Sequence, residues 1–198
     1  MALSSWLVTT TNKEVAATVS GLYGGRLRRT DRQQEVFELM LDRDAIAVNI
    51  DGPGSVVNRM VLEQEEGRGP IHVCDGSNLL EPMDSAGDLC GCPKSVFDRK
   101  AAARSGHGPK PDARLSFRLA AAPGVGMFFL ASSSWEFSDS LSAAVLDMER
   151  GASGAGMEIC LQRKVVTTRS GMAVSYVHPI LSVAEPDFVA PVHLQLAA

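Results

Sequence analysis

The chain has 198 residues, of which 45% are hydrophobic and 21% are charged, and its formal net charge at pH 7 is -4. These values are typical of a globular protein with one hydrophobic core. They disfavour a dedicated nucleic-acid-binding domain, which is normally basic, and no apolar run reaches the roughly 18 residues of a membrane-spanning helix.

The N-terminal segment is predicted to form a strand, a helix and a basic connection. Residues 6–11 alternate and are rich in Trp, Val and Thr, which favours a strand. Asn12 is predicted to cap a helix that ends at the glycine pair 24–25. Four arginines follow within residues 26–32, and they form either a solvated turn or strand, or a contact surface for phosphates or a partner.

Three further strands are predicted before the first cysteine. Residues 35–41 and 45–50 are apolar segments separated by an Asp-Arg-Asp turn, and this pattern predicts a β-hairpin. Residues 56–63 predict a further strand, which a Gly/Pro-rich break follows.

The second half is predicted to contain two helices and four strands. A helix is expected over 93–104, with Pro93 in its first turn, and another over 138–150. Residues 113–121 alternate as a strand with one wet face, and 127–132 are expected to pair back as a more buried strand.

Residues 157–168 and 172–183 predict a closing hairpin. Together these elements predict an α+β fold, mainly antiparallel β-sheet with two or three short helices. We expect a single domain over residues 1–185, with a small zinc-knuckle insert at about 69–93, and a loosely held tail over 186–198.

Two short Cys/His pairs are the most concentrated chemical feature of the chain. They are His72-Val-Cys74 and Cys90-Gly-Cys92. Residues i and i+2 of a strand point to the same side, so each pair can aim two side chains at one point. Four such ligands match a closed tetrahedral zinc site, although C-x₂-C is the commoner spacing.

Other readings of the cysteines stay open at this point. The thiols can be ordinary buried groups, or Cys74 can form a disulfide with Cys90 or Cys92. A redox site would favour C-x-x-C, which is absent. Cys160 stands alone in an apolar stretch and is predicted to be a buried core thiol.

The N-terminus lacks the basic and apolar regions of a secretion signal, so we expect a cytoplasmic location, where disulfides are disfavoured. No phosphate-binding loop, H-E-x-x-H or G-x-S-x-G motif is present. The remaining histidines have no sequence-local base or nucleophile partner. We therefore expect a protein that is not an enzyme and has no catalytic residue.

Further short motifs accompany the cluster along most of the chain. Those that contain the cysteines are GPIHVCDG at residues 69–76 and CGCP at 90–93. The others are a Lys/Arg-rich helix at 98–104, GPKP at 108–111, LYGG at 22–25, SFRL at 116–119, SW at 134–135, and SY at 175–176 with Pro179. Over residues 6–183 the chain resembles the recombination directionality factors of actinophage large serine integrases and their chromosomal or plasmid homologues. It begins closer to its first strand than such proteins usually do.

The resemblance implies a non-catalytic protein that binds a large serine integrase in the bacterial host cell and switches it from integration to prophage excision. Such a factor reaches DNA only through the integrase. An interface is expected to be apolar at its centre, with arginine and aromatic side chains. The partner-binding residues predicted on this basis are Phe97, Arg104, Arg114, Arg118 and Trp135, where the aromatics can instead be core and the arginines solvated.

The alternative hypothesis is a zinc-knuckle nucleic-acid-binding accessory protein of phage replication. It depends on the basic segments 26–32 and 94–104. Such a protein would bind DNA alone, in a salt-sensitive manner.

Overall fold

A computed structural model describes residues 6–31, 36–63, 70–150, 156–168 and 170–183 of the chain. Within these ranges the chain forms eleven strands and three α-helices, and every strand pair is antiparallel. The predicted α+β fold is therefore confirmed.

The strands belong to two sheets. In chain order they are β1 (Trp6–Thr10), β2 (Arg26–Asp31), β3 (Val36–Leu41), β4 (Ala45–Asn49), β5 (Val56–Glu63), β6 (Pro70–Cys74), β7 (Leu79–Glu81), β8 (Lys110–Leu119), β9 (Phe128–Ser132), β10 (Met157–Thr167) and β11 (Ala173–Val183). The helices are α1 (Lys13–Tyr23), α2 (Val96–Arg104) and α3 (Trp135–Glu149). A three-stranded sheet has the order β1-β3-β2, and an eight-stranded sheet has the order β11-β10-β4-β8-β5-β6-β7, with β9 paired to β8.

The predicted hairpin of residues 35–41 and 45–50 is wrong, although both segments are strands. β3 pairs with β1 and β2, whereas β4 pairs with β10 and β8. The short 42–44 connection therefore carries the chain from one sheet to the other. Apolar alternation shows that a segment needs a buried face, but the partner strand is chosen by long-range packing.

Side-chain caps decide where the helices begin. The Asn12 side chain accepts hydrogen bonds from the amides of Glu14 and Val15 in the first turn of α1, at 2.9 and 3.3 Å, so the predicted cap is confirmed. Ser95 caps α2, so this helix begins at Val96 and not at Pro93. Ser134 caps α3, which begins three residues before the predicted start because its first turn is satisfied there.

The main core contains side chains of both sheets, of α1 and of α3. Phe137 and Leu141 of α3 are fully buried, and they belong to one apolar cluster with Leu115 of β8 and Ile159 of β10. The predicted alternation of β8 is confirmed, since its apolar side chains are buried. This packing fixes β8 as the strand from which the neighbouring β5 and β6 extend.

β9 pairs with β8 as predicted, but it is not the more buried strand that we expected. Its burial alternates, and Phe129 is 79% exposed. Among the described strands β9 pairs with β8 alone, so its other edge has no partner strand there.

The closing hairpin is confirmed by the full register of β10 and β11, from Met157↔Val183 to Thr167↔Ala173. The predicted tail over 186–198 and the arginine at position 32 lie outside the described residues. In the part of the chain that is described, no helix combines the length and apolar character needed to cross a membrane.

Candidate metal centre

Three of the four predicted ligands converge where β6 meets the loop before α2. The side chains of His72, Cys74 and Cys92 place one ligand atom each within 4.8 Å of one another. The Cys92 Sγ lies 3.4 Å from the His72 Nε2 and 3.9 Å from the Cys74 Sγ. The strand argument holds for the first pair, because His72 and Cys74 are i and i+2 on β6.

The fourth predicted ligand, Cys90, is beside the cluster but outside the mutually close set. Residues 90–92 are not a strand, and Gly91 has a positive φ of 70°, so the i,i+2 argument fails for the second pair. The Cys90 thiol is nevertheless close enough to Cys74 and Cys92 to affect the pKa of both. The geometry therefore gives three converging ligands with a thiol next to them.

A network of short hydrogen bonds folds the insert between β6 and α2 back onto the cluster. The Asp75 carboxylate accepts hydrogen bonds from the amides of Ser77 and Asn78, each at 2.7 Å. The Cys90 amide then donates to the Ser77 carbonyl at 2.9 Å. This Asx turn explains how a loop segment brings the second cysteine pair to the end of β6.

Gly76 leaves room for a long side chain from α2. A Cβ at this position would collide with Arg99 Nη1, and Gly76 has a φ of 99°. Arg99 in turn donates to the Lys94 carbonyl at 3.2 Å. The glycine thus allows α2 to pack against the turn that follows the first ligand pair.

Burial makes the thiols of the cluster poor acids in the absence of a cation. Cys74 is fully buried, and burial raises its pKa. Burial, together with the neighbouring thiols, raises the pKa of Cys92 to about 12. A divalent cation would supply the positive charge that lets such groups bind as thiolates. The donor set of one imidazole and two or three thiols therefore suits a metal ion of the zinc type.

The four cysteines are free thiols in this structure. Cys160 lies on β10. The sequence predicts a buried core thiol there, but the side chain is only half-buried, and this burial raises its pKa to about 11. It is not part of the cluster of ligands.

The five predicted partner-binding residues do not form one patch. Phe97 is 76% exposed in the first turn of α2, so it is not a core side chain. Arg114 is held by Asp112 at 3.0 Å, and Arg118 lies 3.6 Å from an exposed aspartate. Of the five, Arg104 and Trp135 line the same cleft.

Sequence reasoning missed two exposed apolar side chains of the insert. Met83 is 80% exposed and Leu89 is 84% exposed. The sequence does contain a signal for their exposure, because a segment of this length that is rich in Gly, Asp and Ser cannot bring its apolar residues into a distant core.

No known family model matches this chain, and no solved structure matches it.

Proposed function

We propose that this protein is a recombination directionality factor that binds a phage large serine integrase and switches it from integration to prophage excision. The proposal is supported by the two motifs of the resemblance, HVC of residues 72–74 and CGC of residues 90–92. These motifs are separate in the sequence, and the side chains of His72, Cys74 and Cys92 come together at one cluster, with the Cys90 thiol beside it. In this proposal the protein performs no catalysis.

Zinc is the metal that we propose for the cluster. His72, Cys74 and Cys92 supply three ligands, and the adjacent Cys90 thiol or a water molecule completes a tetrahedron. The ion would be structural, since it joins the loop before α2 to the end of β6. When bound, it supplies folding free energy to a segment with little apolar surface to bury.

The surface that we assign to the partner is formed by three side chains of the insert and of α2. We call Met83, Leu89 and Phe97 the knuckle surface; each of them is at least 76% exposed. Exposed large apolar side chains are unfavourably solvated in a free monomer. Their burial in an interface therefore makes the free energy of binding more favourable. All three lie in the segment from the end of β6 to the start of α2, which the Cys/His cluster anchors. A metal ion bound to the cluster would therefore position this docking site.

Redirection of an integrase requires only unequal binding to two of its arrangements. The resemblance implies that large serine integrases select their synaptic partners through a flexible coiled-coil arm. A factor that prefers one arrangement of the arm about 100-fold supplies roughly 3 kcal/mol, which is enough to change the dominant complex.

The test is a recombination assay with purified integrase and its attachment sites. The wild-type protein should activate recombination between the two prophage-end sites and inhibit integration. The double variant Leu89→Ser/Phe97→Ser should lose about 2 kcal/mol or more of integrase affinity, because central apolar contacts dominate interfaces. Val165→Ser is the matched control, since Val165 is 63% exposed on β10 and outside the knuckle surface. No change in either reaction, with an integrase that is active by itself and cognate to this protein, would refute the proposal.

A nucleic-acid-binding accessory protein is the second candidate function. Arg26 and Arg28 are exposed on β2, an edge strand of the smaller sheet, and they line an open hollow there. This candidate predicts a gel shift with duplex DNA in the absence of integrase, and the shift should weaken steeply with salt. A directionality factor that acts through its integrase should give little or no shift, so one gel separates the two functions.

A further inference from the structure

A cleft lined by α2, β8, α3, β10 and β11 gathers positive charge on a chain that is acidic overall. We call it the basic cleft, and its volume is about 370 Å³. Its lining includes the cationic side chains of Lys100, Arg104, Lys110 and Lys164 and a single carboxylate, that of Glu136. The lining therefore carries a net charge of +3, whereas the formal net charge of the whole chain is -4.

The positive charge of the cleft is only partly neutralised. Lys164 Nζ is 2.6 Å from Glu136 Oε1, so this pair is internally balanced. Lys100 Nζ approaches another carboxylate oxygen of α3 only to 3.9 Å. Arg104 and Lys110 form no ion pair with any of the residues that the structure describes. The cleft thus offers two unpaired cations and a third that is weakly paired.

An aromatic ring and an aliphatic side chain stand beside these charges. Trp135 is half-buried, and Lys100 Nζ lies 5.6 Å from the centre of its ring. Val166 of β10 is 43% exposed, and both Val166 and Tyr176 of β11 line the cleft. Arginine and aromatic side chains that line one depression are typical of the centre of a protein interface.

The arrangement of the cations favours an extended acidic ligand over a small anion. They come from three separate elements, α2, β8 and β10, and each side chain is partly exposed, so a ligand that carries several carboxylates can pair with more than one of them. Duplex DNA is longer than the cleft and would also approach the rest of a chain whose formal net charge is -4, which opposes binding. A short peptide segment would bring several carboxylates into the positive region alone.

We propose that the basic cleft binds an acidic segment of a partner protein. The carboxylates of that segment pair with Lys100, Arg104 and Lys110, and an apolar side chain of the segment packs against Trp135. This inference goes beyond the proposed function, because it requires an acidic partner segment but no integrase.

The test uses the full chain and a fluorescein-labelled octapeptide that alternates Glu and Leu. Fluorescence polarisation should show saturable binding, and raising the salt from about 50 to 200 mM should weaken it at least about threefold, since rim charges are screened. The same peptide with Gln in place of Glu should bind at least about tenfold more weakly.

Matched charge-reversal variants locate the site. Arg104→Glu/Lys110→Glu should weaken peptide binding at least about tenfold, whereas Lys13→Glu/Arg43→Glu carries the same change in net charge outside the cleft and should leave affinity within about twofold. All four side chains are exposed, so unchanged circular dichroism and melting temperature are expected for both variants. Equal loss in the two variants would overturn the proposal. So would a preference of the cleft for a 20-base-pair duplex or for inorganic phosphate over the acidic peptide.

Discussion

Cys92 is the residue on which the metal proposal can be tested most cleanly. Its Sγ is the central atom of the cluster, since it lies 3.4 Å from the imidazole of His72 and 3.9 Å from the thiol of Cys74. Cys74 is a less suitable target, because it is fully buried and a serine there would also leave a hydroxyl without water. Cys160 is a half-buried thiol outside the cluster and provides a control of the same chemistry.

We therefore expect Cys92→Ser to abolish metal binding, whereas Cys160→Ser keeps it. Metal analysis of the purified proteins should find about one zinc per chain in the wild type and in the control. Urea unfolding should show Cys92→Ser to be less stable by at least about 2 kcal/mol, because metal binding and folding of the insert are coupled. Zinc retained at one per chain in Cys92→Ser would contradict the assignment of this ligand.

Glu136 is the carboxylate whose charge depends most on its surroundings. Burial opposes its ionisation, but the Lys164 ammonium, backbone amides and the Ser134 hydroxyl outweigh burial and hold its pKa at about 2, below the ordinary 4.5. Lys164 is 45% exposed, so solvent screening reduces the contribution of the pair to stability to about 1–2 kcal/mol.

The pH dependence follows from the direction of this pKa shift. The unfolded chain binds a proton at Glu136 near pH 4.5 and the folded chain only near pH 2, so the stabilisation is present above about pH 4.5 and is lost as the pH falls towards 2. Urea unfolding of the wild type and of Glu136→Gln should differ by about 1–2 kcal/mol at pH 7 and converge across that window. A difference that stays constant down to pH 2 would contradict the role of the charge.

At the scale of elements, Asn58 joins β5 to α3 with three hydrogen bonds. Its Nδ2 donates to the Ser138 carbonyl and to the Ser142 Oγ, both at 2.8 Å, and its Oδ1 accepts from the Ser138 hydroxyl at 2.8 Å. Ser138 is 2% exposed, so water cannot replace these contacts. The strand next to β6, which carries His72 and Cys74, is thereby attached to the helix that packs on the core.

Removal of this amide should be costly. Asn58→Ala leaves the Ser138 hydroxyl buried without a partner, and we expect a loss of about 2–3 kcal/mol in the free energy of unfolding. Asn49→Ala is the matched control, since Asn49 is exposed at the end of β4 and should change stability by less than about 0.5 kcal/mol. Similar losses in the two variants would show that Asn58 does not link the two elements.

At the scale of the whole molecule, the main core and the Cys/His cluster are separate. The buried residues of the main apolar cluster lie in strands and helices before position 49 or after position 112. Only a few side chains of the intervening segment are buried, such as Met60, Val73 and Cys74. The insert therefore depends on hydrogen bonds and on the proposed ion more than on burial of apolar surface.

Chelation should accordingly unfold part of the molecule and leave the rest intact. Removal of the metal should increase amide hydrogen exchange over residues 72–92, whereas β10, β11 and α3 stay protected because the main core is undisturbed. Mass spectrometry of peptic fragments before and after treatment with a strong chelator would measure this difference. Loss of protection in α3 to the same extent would mean that the ion stabilises the entire fold.

Features that depend on neighbours along the chain could be predicted from the sequence. The Asn12 cap, the alternation of β8 and the hairpin of β10 and β11 are local, since each is set by residues within a few positions or by a tight turn. The chemistry of the cluster is also local, because His72 and Cys74 share one side of a strand.

Three other features were decided only by the tertiary structure. β3 and β4 pair in different sheets, Cys90 lies beside the ligand set rather than within it, and Arg104 and Trp135 line the same cleft. Each of these depends on contacts between residues from different elements. The sequence by itself determined which residues are apolar, charged or ligating, and where most of the strands and helices lie, but it left β2 open between a turn and a strand and did not predict β7. Their partners were set by the shared burial of distant segments, because packing acts on distances in space that local patterns do not encode.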